Sequence, residues 1–162
     1  MSGFRAIHID HVELFVPDRH EAAAWYERVL GLTVLAEYQG WALDSRGPLM
    51  ISGDGGSSKL ALFEGARAPG PGGGFHRVAF RLGAQTFMEC LRRLGELRVQ
   101  DSRGRRIAWD SVVDHEKAYS VYFSDPYGHP LEVTTYDHEA VRVGLATSRT
   151  ADRRSPEGPG LR

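Results

Sequence analysis

From Ile7 to Val16 apolar and polar residues alternate as in a strand: His11, Glu13 and Phe15 share one face, and Val12, Leu14 and Val16 share the other. The period then changes. In "DRHEAAAWYERVLGL" the residues Ala22, Trp25, Tyr26 and Val29 recur at helical spacing. Asp18 is placed to cap that helix, Glu21 to complete a capping box, and Gly31 to end it. Three extended runs are predicted next, Thr33 to Tyr38, Trp41 to Ile51 and Lys59 to Phe63, with the glycines of "SGDGGSS" turning between the last two. "GARAPGPGGG", residues 65–74, has the composition of a linker.

After the linker the order of elements begins again. "FHRVAFRL" alternates as a strand. "AQTFMECLRRLG" places Phe87, Cys90, Leu91 and Leu94 at helical spacing, with Gly95 as the stop. Ile107 to Val113, Ala118 to Phe123 and Leu131 to Tyr136 are further predicted strands. The chain thus reads as an α+β duplication of two βαβββ units, repeat one over 7–64 and repeat two over 75–136, together one module over residues 1–136. From Asp137 the sequence turns polar, so 137–162, ending in "TSRTADRRSPEGPGLR", is expected to be a flexible tail.

Bulk properties narrow the function. The 162 residues suffice for one domain with a real core, and 41% hydrophobic with 25% charged residues is ordinary globular composition. Basic and acidic residues number 20 and 21, a balance that argues against nonspecific nucleic-acid or anionic-membrane binding. No apolar run approaches the roughly 20 residues that span a bilayer. The N-terminus is polar too early for a secretory signal. Cys90 is the single cysteine, so no internal disulfide forms and a cytoplasmic location is expected. Its position in a helical stripe reads as packing.

Aligning the repeats exposes candidate chemistry. His11 matches His76, 65 residues on, and "KLALF" matches "PLEVT", so Ala61 stands where Glu132 stands. If the first and last strands of each unit are neighbours, His11, His76 and Glu132 converge. Two imidazoles and one carboxylate form a facial triad with open positions, a set suited to Fe(II) and also to Mn(II). Apart from His115, the remaining histidines read as ordinary polar residues: His8 on the opposite strand face, His20 in a helical first turn, and His129 in a turn and His138 past the last strand, both expected in solvent. The densest stretch is "VDHEKAYSVYFSDPYGHPLEV", with two histidines, three tyrosines and two glutamates in one hairpin.

Through "IDHVELFV", "FHRVAF" and "VYFSDPYGHPLEV", residues Ile7 to Tyr136 resemble the vicinal-oxygen-chelate superfamily of glyoxalases, extradiol dioxygenases and fosfomycin-resistance enzymes. The resemblance implies paired βαβββ modules forming an open mixed-sheet barrel around a divalent metal. Fe(II) is the first expectation, with Mn(II), Zn(II) or Ni(II) as alternatives. Asp125, Pro126 and Gly128 make the turn that aims Glu132 inward.

Two features select among reactions. Glyoxalase-like members bring a fourth ligand from the strand where this chain has Ala61. The spacing from His115 to Tyr122 to Glu132, seven and then ten residues, resembles the extradiol dioxygenase signature. The resemblance implies a proton-transfer or substrate-positioning role for His115 and a hydrogen-bond donor role for Tyr122. The chain departs from that pattern in having no further histidine between Gly40 and His76. If Val121 and Phe123 pack away, the Tyr122 phenol shares the polar face with Ser120 and Ser124.

The expected function is metal-dependent ring cleavage of a small catechol with oxygen, in a homodimer whose linker permits module exchange. The alternatives are a glyoxalase-like isomerase or lyase, a thiol transferase, or a non-enzymatic drug-binding protein. A phosphonate-opening transferase ranks low because Arg77 and Arg81 have outward parity in this reading. Trp41, Trp109, Tyr119 and Tyr136 are candidate pocket walls.

Overall fold

Two four-stranded sheets carry the chain, both wound in the same order. The computed structural model describes residues 9–65 and 76–152, which fall into a first unit up to Gly74 and a second from Phe75. In the first unit, β1 (His11–Val16), α1 (Arg19–Leu30), β2 (Thr33–Val34), β3 (Leu49–Ser52) and β4 (Lys59–Glu64) build a sheet ordered β1-β4-β3-β2. In the second, β5 (Val78–Arg81), α2 (Ala84–Glu96), β6 (Val113–Asp114), β7 (Tyr119–Ser124) and β8 (Pro130–Thr135) build one ordered β5-β8-β7-β6. In each, the first and last strands are parallel neighbours and the other pairs are antiparallel. This is the α+β duplication expected from the sequence, and neither sheet closes on itself. Ile7 and His8 lie outside the described residues, as does all of the expected linker except Gly65.

Helix α1 starts where Asp18 accepts the backbone N–H groups of His20 and Glu21, at 2.8 and 2.9 Å. These bonds hold the Asp18 carboxyl below its usual range. The helix ends at Gly31, whose φ of 72° favours glycine. Its buried stripe is Ala22, Ala23, Tyr26 and Val29, one residue different from the expected set because Trp25 stays half-exposed. Leu14, Val16, Leu49, Ile51, Leu60 and Leu62 complete the core beneath it. Complete burial of side chains of this size contributes about 1.5–3 kcal/mol each.

The two extended runs predicted between 33 and 51 are mostly absent. Only Thr33–Val34 and Leu49–Ser52 pair, and Ala36–Leu43 forms a 3-10 helix. The cause is Arg19, buried at the start of α1. Its guanidinium donates to the carbonyls of Ala42 (2.7 Å), Asp44 (3.2 Å) and Gly47 (2.5 Å), drawing the chain into turns. Gly47 fits there because a Cβ would lie 1.9 Å from the Trp41 carbonyl oxygen.

In the second unit, α2 buries Phe87, Cys90, Leu91 and Leu94, as the spacing predicted. Burial pushes the Cys90 thiol up to about 11. Gly95 does not stop the helix, which runs on to Glu96. Its missing Cβ instead admits the Ile107 carbonyl, 3.3 Å from where that atom would be. The strand predicted over Ile107–Val113 shrinks to Val113–Asp114. Trp109–Ser111 forms a 3-10 turn in which the Ser111 hydroxyl accepts the Ala108 N–H at 3.0 Å.

The tail expected to be flexible from Asp137 is instead α3 (His138–Asp152), with Val141 and Leu145 buried and α2 as its packing partner. Gly144 lets the helices approach, since a Cβ there would meet Met88 Cε at 3.2 Å. Residues 153–162 lie outside the described residues. No described helix is long and apolar enough to cross a membrane.

Candidate acid–base site

The second sheet has one apolar and one polar face, and period-two geometry sorts its residues. Val121, Phe123, Leu131 and Val133 are buried on the helix side. On the other side Tyr122 pairs with Glu132, Ser120 with Thr134, and Ala79 flanks Glu132 from β5. The condition set for Tyr122 is therefore met, and the phenol shares a face with Glu132.

The turn between β7 and β8 holds that face in register. The buried Asp125 carboxylate accepts the N–H groups of Tyr127 (3.0 Å) and His129 (2.8 Å), while Gly128 takes φ 89°. The second Asp125 oxygen lies 2.6 Å from His129 Nδ1, so His129 is part of the turn rather than solvated. Thr134 is fixed by the Ser120 hydroxyl at 3.0 Å.

His115 reaches Tyr122 from the tight connection between β6 and β7. The His115 N–H donates to the Ala118 carbonyl (2.9 Å), Lys117 N–H to the His115 carbonyl (2.7 Å), and Glu116 sits at φ 67°. Asp114 accepts the Glu116 N–H at 2.8 Å. The result is a 2.8 Å hydrogen bond between His115 Nε2 and Tyr122 Oη. An imidazole and a phenol in contact can pass a proton between them, with a third oxygen as source or sink.

Arg77 is the residue the sequence reading placed wrongly. Its Nη1 lies 3.9 Å from Glu132 Oε2, and its guanidinium carbon lies 4.3 Å from the centre of the Tyr122 ring. Arg81, opposite Thr134, stands on the same face with its guanidinium carbon 5.1 Å from the Tyr136 ring centre. Neither arginine has the outward parity expected of it. The reason is register. Glu13 opposes Ala61 in the first unit and Ala79 opposes Glu132 in the second, so the strands correspond at a 66-residue offset, and His11 corresponds to Arg77. His76 is exposed and precedes Arg77 in chain order.

In the first unit, His11 lies between two carboxylates, Nδ1 2.9 Å from Asp10 and Nε2 3.8 Å from Glu13. Lys59 donates to Asp10 at 2.8 Å and, with His11, holds that carboxyl below its usual range. Glu13 shares the His11 face as its alternation predicts, but the sequence did not single it out as a candidate; its position two residues after His11 was the available signal. Further along this face lies an apolar cluster, with Leu35, Met50 and Ala61 packed against Tyr38 and Phe63, and Phe15 stacked on Phe63 at 5.6 Å.

Of the candidate pocket walls, Tyr119 is corrected: it lies on the helix side of β7, stacked on His138 at 4.4 Å. His138, expected in solvent, is 2.7 Å from Asp114. Trp41 is half-exposed against Tyr38, Trp109 sits partly buried in its 3-10 turn, and Tyr136 lies under Arg81. A groove of about 350 Å³ on the first unit is lined by His20, Val34, Gln39, Ala42, Leu43 and Leu49, and offers no carboxylate.

The expected metal can be tested against this donor set. Among the described residues no group of three or more His, Cys, Asp or Glu side chains is placed to hold an ion. On the second unit's face Glu132 stands beside a guanidinium where an imidazole was expected. As it stands, that face does not fit half of a two-imidazole, one-carboxylate site.

Comparison with known proteins agrees with the fold. The family model described as glyoxalase/bleomycin resistance protein/dioxygenase superfamily matches residues 8–133. Among solved structures, a glyoxylase/bleomycin resistance protein/dioxygenase domain from Frankia sp. EAN1pec is 19% identical with a TM-score of 0.61, covering 82% of this chain and 93% of its own. The oxidase ChaP-H2 is 23% identical with a TM-score of 0.59, covering 81% and 94%. The fosfomycin resistance protein FosX from Listeria monocytogenes is 15% identical with a TM-score of 0.58, covering 85% and 99%. No curated protein matches the sequence.

Proposed function

Because the chain belongs to the glyoxalase/bleomycin resistance protein/dioxygenase superfamily, we propose that it is an enzyme acting on a small hydroxylated aromatic compound, with Tyr122 and His115 handling the substrate proton. The observation that carries this is the 2.8 Å bond between His115 Nε2 and Tyr122 Oη beside Glu132. A substrate hydroxyl donating to Tyr122 Oη can pass a proton on to His115, since the phenol can accept at its oxygen while giving its own proton to the imidazole Nε2. Reversal of the relay returns the proton to product, so one pair serves as base and then acid.

The finer proposal is extradiol cleavage of a catechol by molecular oxygen. It rests on the spacing of His115, Tyr122 and Glu132 and on the meeting of the first two. It requires Fe(II), or Mn(II), Zn(II) or Ni(II) in its place, held by His11, His76 and Glu132, and hence a Glu132 parted from Arg77 and a His76 turned to the face that Arg77 now occupies. The metal would supply the site for oxygen chemistry. A second reading, proton transfer without a metal as in an isomerase or lyase, is favoured by the guanidinium beside Glu132. Homodimer formation remains part of the proposal.

Anaerobic loading with Fe(II), followed by a catechol panel under oxygen, separates the readings. Oxygen uptake with a yellow ring-fission product supports the dioxygenase. Turnover of an enolisable aromatic ketone at the same rate with and without metal supports the second reading. Saturable catechol binding with no reaction under either condition would leave a binding protein and overturn the enzyme assignment.

A further inference from the structure

The register shift that brings Arg77 to Glu132 has a chemical consequence. We propose that Arg77 is a recognition site for a carboxylate carried on the aromatic ring, so that the ligand class is a hydroxylated aromatic acid rather than an unsubstituted catechol. The inference rests on the reading of the His115–Tyr122 face as the place where an aromatic hydroxyl is bound.

Among the described residues 77–81 and those of β8, the polar face carries two guanidiniums, Arg77 and Arg81, and the carboxylate of Glu132. Two arginines on one strand face beside the hydroxyls of Tyr122, Ser120 and Thr134 favour an anionic ligand. A guanidinium binds a carboxylate through two parallel N–H donors, a geometry that lysine cannot reproduce. Arg77 also lies over the Tyr122 ring with its side chain about one-third exposed, at 32%, so it is oriented by the ring and reached by solvent. An aromatic ring whose hydroxyl meets Tyr122 Oη therefore has Arg77 beside it to meet a neighbouring carboxylate. Between the arginines Ala79 presents only a methyl group next to Glu132. Arg81 lies about 13 Å from Arg77 along the strand and adds to the positive field rather than to the grip.

The test is equilibrium binding by calorimetry on the full chain, using benzoate and benzyl alcohol, neither of which needs turnover. Benzoate should bind about tenfold more tightly or better, the scale of a lost charge-assisted hydrogen bond. Arg77→Gln should abolish that preference, Arg77→Lys should restore only part of it, and Arg81→Gln should reduce it less than Arg77→Gln does. Equal affinity for the two compounds in the unaltered protein, or a preference that survives Arg77→Gln, overturns the proposal. Should Arg77→Gln fail to fold, Arg77→Lys carries the test, and an unreduced preference there overturns it too. A benzoate preference in a protein that turns over no hydroxylated aromatic would uphold this inference while the proposed enzyme function fails, so the two are separable.

Discussion

The two sheets are wound identically and present opposite chemistry at equivalent places. Reading across the central row, the first unit has Glu13, Ala61 and Met50, and the second has Ala79, Glu132 and Tyr122. In the first unit the carboxylate sits on the opening strand, where it faces His11, and its neighbours are apolar. In the second it has moved to the closing strand, between a guanidinium and a tyrosine that bonds a histidine. The backbone supplies a half-polar face twice; single substitutions decide whether that face packs rings or gathers ionisable side chains. Function lies in the site grafted on the fold, and the proposed graft is on one copy.

The comparison can be broken most severely at the acid–base pair. Tyr122→Phe and His115→Ala should each lower turnover of a responsive substrate by about 10²–10⁴-fold, the usual worth of a general acid–base group, with the thermal midpoint little changed. The double variant should lose little beyond the worse single one, because the two act as a unit.

Transferring the carboxylate to the first sheet sharpens the contrast from the other side. Ala61→Glu places a charge in an apolar cluster and opposite Glu13. It should cost about 3 kcal/mol or more in urea unfolding. A comparable loss, about 1–3 kcal/mol from overpacking, is expected for Gly47→Ala, whose methyl collides with the Trp41 carbonyl.

The smallest effects are those of pH on the second unit's frame. The bond from His138, followed by the Glu116 N–H, holds the Asp114 carboxyl below its ordinary 3.8. A depressed carboxylate contributes its stability above the unfolded value and loses it as pH falls through the folded one. Amide exchange at the start of α3 should therefore quicken below about pH 4 in the unaltered protein and change less in His138→Gln. Cys90 has the opposite sign, since burial raises its thiol from 9.0 to about 11. Its contribution is intact below pH 9 and drains away as the pH approaches 11, so alkylation at pH 8 should wait on unfolding.

What the sequence disclosed divides along physical lines. Local periodicity was enough for α1, α2, β7 and β8, because each buries a regular stripe such as Phe87, Cys90, Leu91 and Leu94. The hairpin turn and the face of Tyr122 were also legible, since both follow from parity and turn chemistry over a few residues. The segment 36–47 was not, because its conformation is imposed by three carbonyls converging on Arg19, far off in sequence. Helix α3 escaped notice because, among its described side chains, Val141 and Leu145 alone are buried and Gly144 serves close approach. Arg77 was misplaced by one residue of register, and in a strand one residue exchanges the faces. The alignment of His11 with His76 counted chain positions, whereas Glu13 with Ala61 and Ala79 with Glu132 are matched by hydrogen bonding.

The central claim is that His115 and Tyr122 together meet a substrate hydroxyl. Long-range proton–nitrogen spectra of the His115 ring during titration with catechol test it most directly. The account predicts that the Nε2 resonance moves as catechol saturates the protein, and that Tyr122→Phe shifts it in the free protein and removes the response. An Nε2 resonance indifferent both to saturating catechol and to Tyr122→Phe would contradict it.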